Sequence, residues 1–421
     1  MNPPPVSTPE SVDVAVIGAG AAGLAACIFA AESRQRRARI VALDGAAKVG
    51  AKILVAGGGR CNVTNERVTA DDFSGPRNVV KNILREFDER AAVEWFARMG
   101  VELKTEPTGK LFPVSDDAHS VLEALLARCA ELSIEVRAGC RVESVAREGD
   151  GFRIEHCGGS LRAQRVVMAT GGRSLPKTGS DGTGWKIARQ LGHTVTPTYP
   201  ALVPLVLDPG FFHARVAGVS HDAELSTIVG GKPVDRRSGS LLWTHFGVSG
   251  PVVMDASRFW VIAQAQGQGP ELRVSFLPGK EFADVDRRLI DAAGSTPGRA
   301  VARVLAEPIP RSVAEVLCRH VGLDPASPMG GVTKECRKRL VHALISLALP
   351  VVGDRGWNYA EVTAGGVPLG EVNPRTMESR IVPGLYLVGE IIDCDGRIGG
   401  FNFQWAWATG HVAGQALHMG E

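Results

Sequence analysis

Val12-Asp13-Val14-Ala15-Val16-Ile17 is a short apolar run with little alternation, the pattern of a parallel strand buried on both faces. It runs directly into Gly18-Ala19-Gly20-Ala21-Ala22-Gly23. An Ala/Leu-rich helix follows to about Ser33, and a second strand from Arg39 to Leu43 ends on Asp44. In such a β-α-β frame each glycine of GxGxxG has a separate task. Gly18 permits the tight turn, Gly20 lets backbone approach a pyrophosphate, and Gly23 lets helix and strand pack closely, with Ala22 between them in the first helical turn. The helix N-terminus presents unpaired N–H groups and a partial positive charge to phosphate, and Asp44 is placed to accept hydrogen bonds from a ribose. The motif by itself does not separate a flavin from a nicotinamide dinucleotide.

Composition narrows the classes further. With 44% hydrophobic and 22% charged residues over 421 positions, the chain is a folded protein of two to three domains, not a disordered or fibrous one. Lys plus Arg number 47 against 45 Asp plus Glu, which leaves a net charge of +2. That balance carries no membrane or nucleic-acid signature, although a local basic patch fits inside it. The first eleven residues lack the basic-then-apolar order of a signal peptide, and the apolar stretch from Ala15 to Ala31 is too short to span a bilayer. The eight cysteines (27, 61, 129, 140, 157, 318, 336 and 394) form no CxxC and no paired Cys/His spacing. A disulfide scaffold, a structural metal and thiol–disulfide reductase chemistry are therefore disfavoured, and a reducing cytoplasm is the expected setting.

Along the chain, helical spacing runs from Arg77 to Met99 and from Ser120 to Leu132. Strand-like segments follow at Ile134–Val136, Arg141–Ala146, Phe152–His156 and Arg165–Met168. Pro197, Pro200, Pro204 and Pro209 mark a change of texture. Beyond them β-like alternation continues to about Phe276, and helical patterns extend to Leu347. A buried strand from Gly384 to Val388 then ends on Gly389, and a last helix covers Phe401 to Leu417. The reading is an α/β chain with a discontinuous nucleotide-binding domain at 1–195 and 356–421. It is interrupted by a β-rich insertion at 196–278 and a helical one at 279–355.

Further glycine clusters supply candidate site residues. In Gly57-Gly58-Gly59-Arg60-Cys61-Asn62 the glycines suit close passage of a flat ligand, Arg60 could meet a phosphate, and Asn62 offers donor and acceptor. Cys61 is either a reactive thiol or a packed one. Ala169-Thr170-Gly171-Gly172 is a strand-to-glycine turn, and Lys177 to Gly184 is a glycine/hydroxyl loop that serves either an anion or the following helix. Gly389-Glu390 with Asp393, then Gly400-Phe401-Asn402 before the last helix, can bind polyol hydroxyls and stabilise negative charge at a helix N-terminus. His245, in Thr244-His245-Phe246-Gly247-Val248-Ser249-Gly250-Pro251, is either a proton donor or a structural turn residue. The basic run Lys334, Arg337, Lys338 and Arg339 reads as a solvated face or a polyanion contact.

Taken in order, these stretches resemble the bacterial BaiN/RdsA-type, YhiN-like family of NAD(P)/FAD-dependent oxidoreductases. The matching segments are VIGAGAAGL (16–24), AGGGRCNVTN (56–65), ATGG with TGSDGTG, THFGVSGP (244–251), VTAGGV (362–367) and LYLVGEIIDCDGRIGGFNFQWAWATG (385–410). The resemblance implies a Rossmann-like, glutathione-reductase-like FAD-binding domain interrupted by an inserted β-rich plus helical substrate domain. It implies FAD held by Gly18, Gly20, Ala22, Gly23, Asp44, Lys52, Gly58, Gly59, Arg60, Cys61, Asn62, Thr170 and Gly171, with Gly389, Glu390, Asp393, Gly400, Phe401 and Asn402 closing on the flavin. Four positions depart from the pattern: Asp44 stands where Glu is usual, Ala51 stands where Arg often precedes Lys52-Ile53, and Arg397-Ile398 replace an aromatic or Pro followed by Thr.

The activity implied is reduction of a carbon–carbon double bond, by hydride transfer from reduced flavin N5. The substrate is then a uridine of large-subunit ribosomal RNA or a small enone such as a steroid or bile acid. NADH or NADPH is the expected reductant, although a second GxGxxG after a strand is absent. His245 and Cys61 are the candidate catalytic groups. A flavin-binding regulatory protein without turnover is the alternative from another class, and neither reading sets an oligomeric state.

Overall fold

The structure is a computed structural model describing residues 10–33 and 38–417. Residues 1–9, most of the segment on which the expected absence of a signal peptide rests, lie outside the described residues. No helix among the described residues is long and apolar enough to cross a membrane. The chain divides into two compact units, Met1–Thr198 with Glu361–Glu421, and Tyr199–Ala360.

The first unit is built on a seven-stranded sheet. Its strands run in the order Glu135–Arg137, Ile40–Leu43, Glu10–Ile17, Gly159–Met168, Gly151–His156 and Val142–Glu148, and Leu385–Leu387 also pairs with Gly159–Met168. The first four are parallel, as is the pairing of Leu385–Leu387. Val14, Ala15, Val16, Val41, Ala42, Val166 and Val167 are wholly buried, which is why these segments read as unbroken apolar runs. The order reverses between Glu10–Ile17 and Gly159–Met168. Strand ends at such a reversal open onto a crevice, the usual ligand position in an open α/β sheet. Both strands end there in glycine turns, and the two turns touch: a Cβ on Gly18 would lie 2.4 Å from the Ala169 carbonyl oxygen.

Two helices cover one another with small residues between them. Ala21–Ser33 is buried along most of its length, as is the C-terminal helix Phe401–Ala416. A Cβ on Gly410 would lie 2.8 Å from both the Ala22 carbonyl oxygen and Ala25 Cβ. A Cβ on Gly414 would lie 2.6 Å from Phe29 Cβ. The contacts advance together along both chains, so the helices run parallel. The C-terminal helix begins about six residues further out than its neighbour, roughly 9 Å at about 1.5 Å per residue.

The second unit carries an antiparallel seven-stranded sheet, with strands in the order Leu347–Leu349, Glu271–Ser275, Ser220–Val229, Lys232–Thr244, Gly247–Ser249, Leu205–Leu207 and Val351–Asp354. Helices Phe282–Ser295, Val301–Leu305, Arg311–His320 and Lys334–Ile345 occupy the region where helical patterns are expected. Two local expectations need correction. The alternation read up to Phe276 contains a 15-residue helix, Pro251–Ala265, started by Pro251 at its first position after Gly250. The segment 77–99 is two helices, because Asp88 accepts a hydrogen bond from the Ala91 N–H and caps a new helix after Phe87.

The close helix contact predicts opposite effects for glycines in different settings. Gly410→Val should lower stability by about 1–3 kcal/mol through overpacking. Gly294→Ala, in an exposed helix with nothing near the added methyl, should raise it by about 0.5–1 kcal/mol. Thermal or urea unfolding of the two variants checks this, and equal shifts would refute the packing account.

Candidate functional site

The first unit gathers most of the expected residues around the sheet reversal. At the N-terminal helix the three glycines divide as their roles require. Gly18 has φ +98° and no room for a side chain, and a Cβ on Gly23 would fall 1.9 Å from the Gly18 carbonyl oxygen. Gly20 differs: nothing lies within 4 Å of an added Cβ, so its open side is available to a ligand. Asp44, at the end of the neighbouring strand, accepts from the Ala19 N–H at 2.7 Å and from the Ala46 N–H at 2.8 Å. Each oxygen receives one backbone donor, and the remaining lone pairs suit ribose hydroxyls.

On the facing turn, Thr170 Oγ1 is buried with no hydrogen-bond partner among the described residues. Gly171 has φ +70°, and a Cβ there would meet Ser180 Oγ at 2.6 Å. The following loop serves its helix: Asp181 accepts from the Thr183 N–H at 3.0 Å, and Arg141 is held to Asp181 and Thr183.

Lys52 and Glu390 meet across the unit. Lys52 Nζ donates to Glu390 Oε2 at 2.5 Å and to Ser174 Oγ at 2.6 Å. Glu390 Oε1 accepts from Ser174 Oγ at 2.9 Å and from the Thr363 N–H at 2.9 Å. Ser174 carries no local signal in the sequence, and Thr363, although it lies within VTAGGV (362–367), has nothing there to mark it as a site residue. Gly389 has φ +72°, and a Cβ on it would press 2.8 Å from Ala22 Cβ. Asp393 accepts from Thr196 Oγ1 at 2.9 Å.

The second glycine cluster is mostly a clamp. Gly57, Gly58, Gly59 and Cys61 all have positive φ. Gly58 has open space at its Cβ position, and Gly59 has only the Leu54 carbonyl oxygen, at 3.8 Å. Asn62, with its amide oriented to satisfy its neighbours, donates to the Thr64 carbonyl at 2.9 Å and the Leu111 carbonyl at 3.2 Å. Its oxygen accepts from the Gly400 N–H at 3.0 Å. Gly400, with φ +94°, starts the C-terminal helix, and a Cβ there would strike the Thr64 carbonyl oxygen at 2.4 Å. Trp407 Nε1 donates to the Val63 carbonyl at 2.9 Å, and Asn402 and Gly396 exchange two hydrogen bonds. No side chain caps this helix. Its first-turn N–H groups, from Phe401 onwards, point along the positive end of the helix dipole.

Arg60, Cys61 and His245 have surroundings of their own. The Arg60 guanidinium is engaged by Glu106 at 2.6 Å and Asp116 at 3.4 Å, and it lies 4.0 Å from the Phe112 ring centroid. It is therefore held by carboxylates and not presented as an isolated cation. Cys61 is fully buried, and burial pushes its thiol up to about 12. A thiol so raised is protonated at neutral pH, which removes the physical basis for reading it as a nucleophile. His245 lies in the second unit, exposed on the turn between Lys232–Thr244 and Gly247–Ser249, with its ring 5.1 Å from that of Phe246. At the departure Arg397-Ile398, Arg397 pairs with Asp72 at 3.2 Å and lies 5.1 Å from the Phe401 ring centroid.

A family profile described as the HI0933-like protein Rossmann domain matches residues 12–416. The chain belongs to this family. Among curated relatives, a 3-dehydro-bile acid delta(4,6)-reductase of Clostridium scindens is 35% identical over 404 residues, 96% of this chain and 98% of the relative. A ribosomal RNA dihydrouridine synthase of Escherichia coli is 32% identical over 411 residues, 97% and 98% of the two chains. Among solved structures, a 3-ketosteroid delta1-dehydrogenase of Sterolibacterium denitrificans has a TM-score of 0.53 at 13% identity. It covers 98% of this chain and 100% of that one, a likeness of fold alone. Like its family, the chain is an FAD-binding oxidoreductase and an enzyme.

The residues present fit FAD. Gly20 is open, Asp44 keeps acceptor capacity, Thr170 holds a buried unsatisfied hydroxyl, and the C-terminal helix begins without a side-chain cap. Gly20→Ala should therefore leave the apo-protein's stability nearly unchanged yet weaken FAD binding tenfold or more, about 1.4 kcal/mol. Gly18→Ala should destabilise the fold itself. FAD titration and thermal unfolding of both variants separate the two effects. Iodoacetamide labelling checks the thiol: Cys61 should stay unlabelled in the native protein at neutral pH and react only after unfolding.

Proposed function

We propose that this enzyme is an ene reductase acting on a carbon–carbon double bond conjugated to a carbonyl, with a uridine of large-subunit ribosomal RNA as substrate and NADH or NADPH as reductant. The observation that carries the flavin part is the parallel, staggered pair of helix N-termini at the sheet reversal. One ends in a glycine turn open at Gly20, and the other starts at Gly400 without a side-chain cap. The chemistry is supported by the two relatives, whose names describe a bile acid delta(4,6)-reductase and a dihydrouridine synthase over essentially the same full length. Both names imply addition of hydrogen across an alkene polarised by a carbonyl.

Bound FAD, once reduced, supplies the hydride equivalent. The Gly18–Gly23 turn and the first-turn amides of Ala21–Ser33 bind the pyrophosphate, and Asp44 accepts from the adenosine ribose. Lys52 and Glu390 hold the polyol side, kept in place by Ser174 and the Thr363 N–H. The amides at the start of Phe401–Ala416 stabilise negative charge at the pyrimidine edge of the ring system. His245 delivers the proton to the second alkene carbon from its imidazole. The RNA reading is favoured by Lys334, Lys338 and Arg339 on one helix of the second unit, which are exposed and form no ion pair among the described residues. Such cations suit phosphates. Arg337 on the same helix is held by Asp286 at 2.7 Å. The 35% identical relative supports a second reading, a small 3-oxo-alkene of steroid type.

The test is anaerobic. The FAD-loaded enzyme is reduced with NADH or NADPH and mixed either with large-subunit rRNA lacking dihydrouridine or with a 3-oxo-4-ene steroid. Flavin reoxidation with loss of one uridine is expected. Reoxidation by the steroid alone selects the second reading, and reoxidation by neither contradicts ene-reductase chemistry. His245→Ala should lower turnover by roughly 10²–10⁴-fold with FAD content unchanged.

A further inference from the structure

The cysteines are scattered in sequence, yet the structure brings two of them together with a histidine on the hairpin Val142–Glu148 and Gly151–His156 of the first unit. Cys140 Sγ lies 3.2 Å from His156 Nδ1, and Cys157 Sγ donates to the Gly139 carbonyl at 3.3 Å. The Cys157 sulfur thus rests against the peptide unit that joins Gly139 to Cys140. Backbone bonds hold the pair in place. The Cys140 N–H donates to the Asp44 carbonyl at 2.7 Å, the Gly139 N–H to the Ala46 carbonyl at 2.9 Å, and the Cys157 N–H to the Arg141 carbonyl at 3.0 Å. His156 Nδ1 also accepts from the Gly158 N–H at 3.1 Å. That nitrogen is therefore unprotonated, and the Cys140 S–H is the donor toward it.

We infer that Cys140 and Cys157 are a peroxide-oxidisable dithiol that closes to a reversible intramolecular disulfide, with His156 taking the Cys140 proton. Exposure sets the order of events: Cys157 is exposed and Cys140 is half-buried. Burial also raises the Cys140 thiol, chiefly by desolvation, so the exposed sulfur reacts first. The Cys157 sulfur attacks one oxygen of hydrogen peroxide. The O–O bond breaks, water leaves, and Cys157 becomes a sulfenic acid. The Cys140 sulfur, its proton passed to His156 Nδ1, then attacks the Cys157 sulfur. The S–S bond forms, the S–O bond breaks, and the departing hydroxide takes the proton from His156 to leave as a second water. Two thiols lose two electrons and two protons, and peroxide becomes two waters. Cys27 and Cys129 are both buried, which keeps peroxide away from them.

The experiment uses the full-length FAD-loaded protein, treated with hydrogen peroxide and mapped by mass spectrometry with and without dithiothreitol. A Cys140–Cys157 cross-linked peptide that dithiothreitol opens is expected, with Cys27 and Cys129 unchanged. In Cys140→Ser, dimedone should trap a sulfenic acid on Cys157, and in Cys157→Ser no disulfide should form. His156→Gln should slow closure tenfold or more while sulfenic acid accumulates. Oxidation of Cys157 to sulfinic acid without a cross-link would overturn the dithiol. Closure of His156→Gln at the parent rate would overturn the role of the imidazole.

Discussion

Gly410 and Gly414 lie on one face of the C-terminal helix and admit the backbone of Ala21–Ser33 to within a distance that no side chain would allow. The contacts at Gly410 and Gly414 advance in the same direction along both helices, so the two run parallel. Their N-termini therefore point the same way, and both positive ends fall on the side of the sheet where the strand order reverses. The stagger between them follows from which residues meet, not from any loop. A dinucleotide needs one cationic helix end for its pyrophosphate, and a reduced flavin benefits from another near its pyrimidine ring. The contact between small residues sets both at once.

The rest of the first unit holds those ends still. Asn62 reaches across to the Gly400 N–H, Trp407 donates to Val63, and Gln404 meets Thr64, so the glycine-rich second cluster and the last helix move as one body. Lys52, Glu390, Ser174 and Thr363 form a second such stitch, each member hydrogen-bonded to at least one other. A polar network of this kind is stable only while every member is satisfied, and it is rigid for the same reason. The side chains that look most chemical in the sequence, Cys61 and Arg60, turn out to be occupied by burial and by carboxylates.

How much of this is legible in the sequence depends on the range of the signal. The strand entering Gly18, the turn, the helix and the second strand that leads into Asp44 are read correctly because buried-strand composition and turn chemistry are local. The start of the C-terminal helix at Phe401 is equally local. Asn62 could be picked out as a site residue, but its partner is Gly400, far away in sequence, and no periodicity announces that pairing. Ser174 and Thr363 are missed for the same reason, and the Cys140–His156–Cys157 group is hidden by a spacing that only the hairpin register closes. The helix Pro251–Ala265 reads as alternation because its β-branched start looks like a strand until Gly250-Pro251 is taken as a helix entry.

A structure of the FAD complex tests the central claim most directly. The account predicts the pyrophosphate against the amides that follow Gly20, the adenosine ribose on Asp44, and the pyrimidine edge of the isoalloxazine facing the first-turn amides of Phe401–Ala416. FAD bound with its ring system away from that helix end, or with its phosphates on Arg60 and not on the Gly18–Gly23 turn, would contradict it.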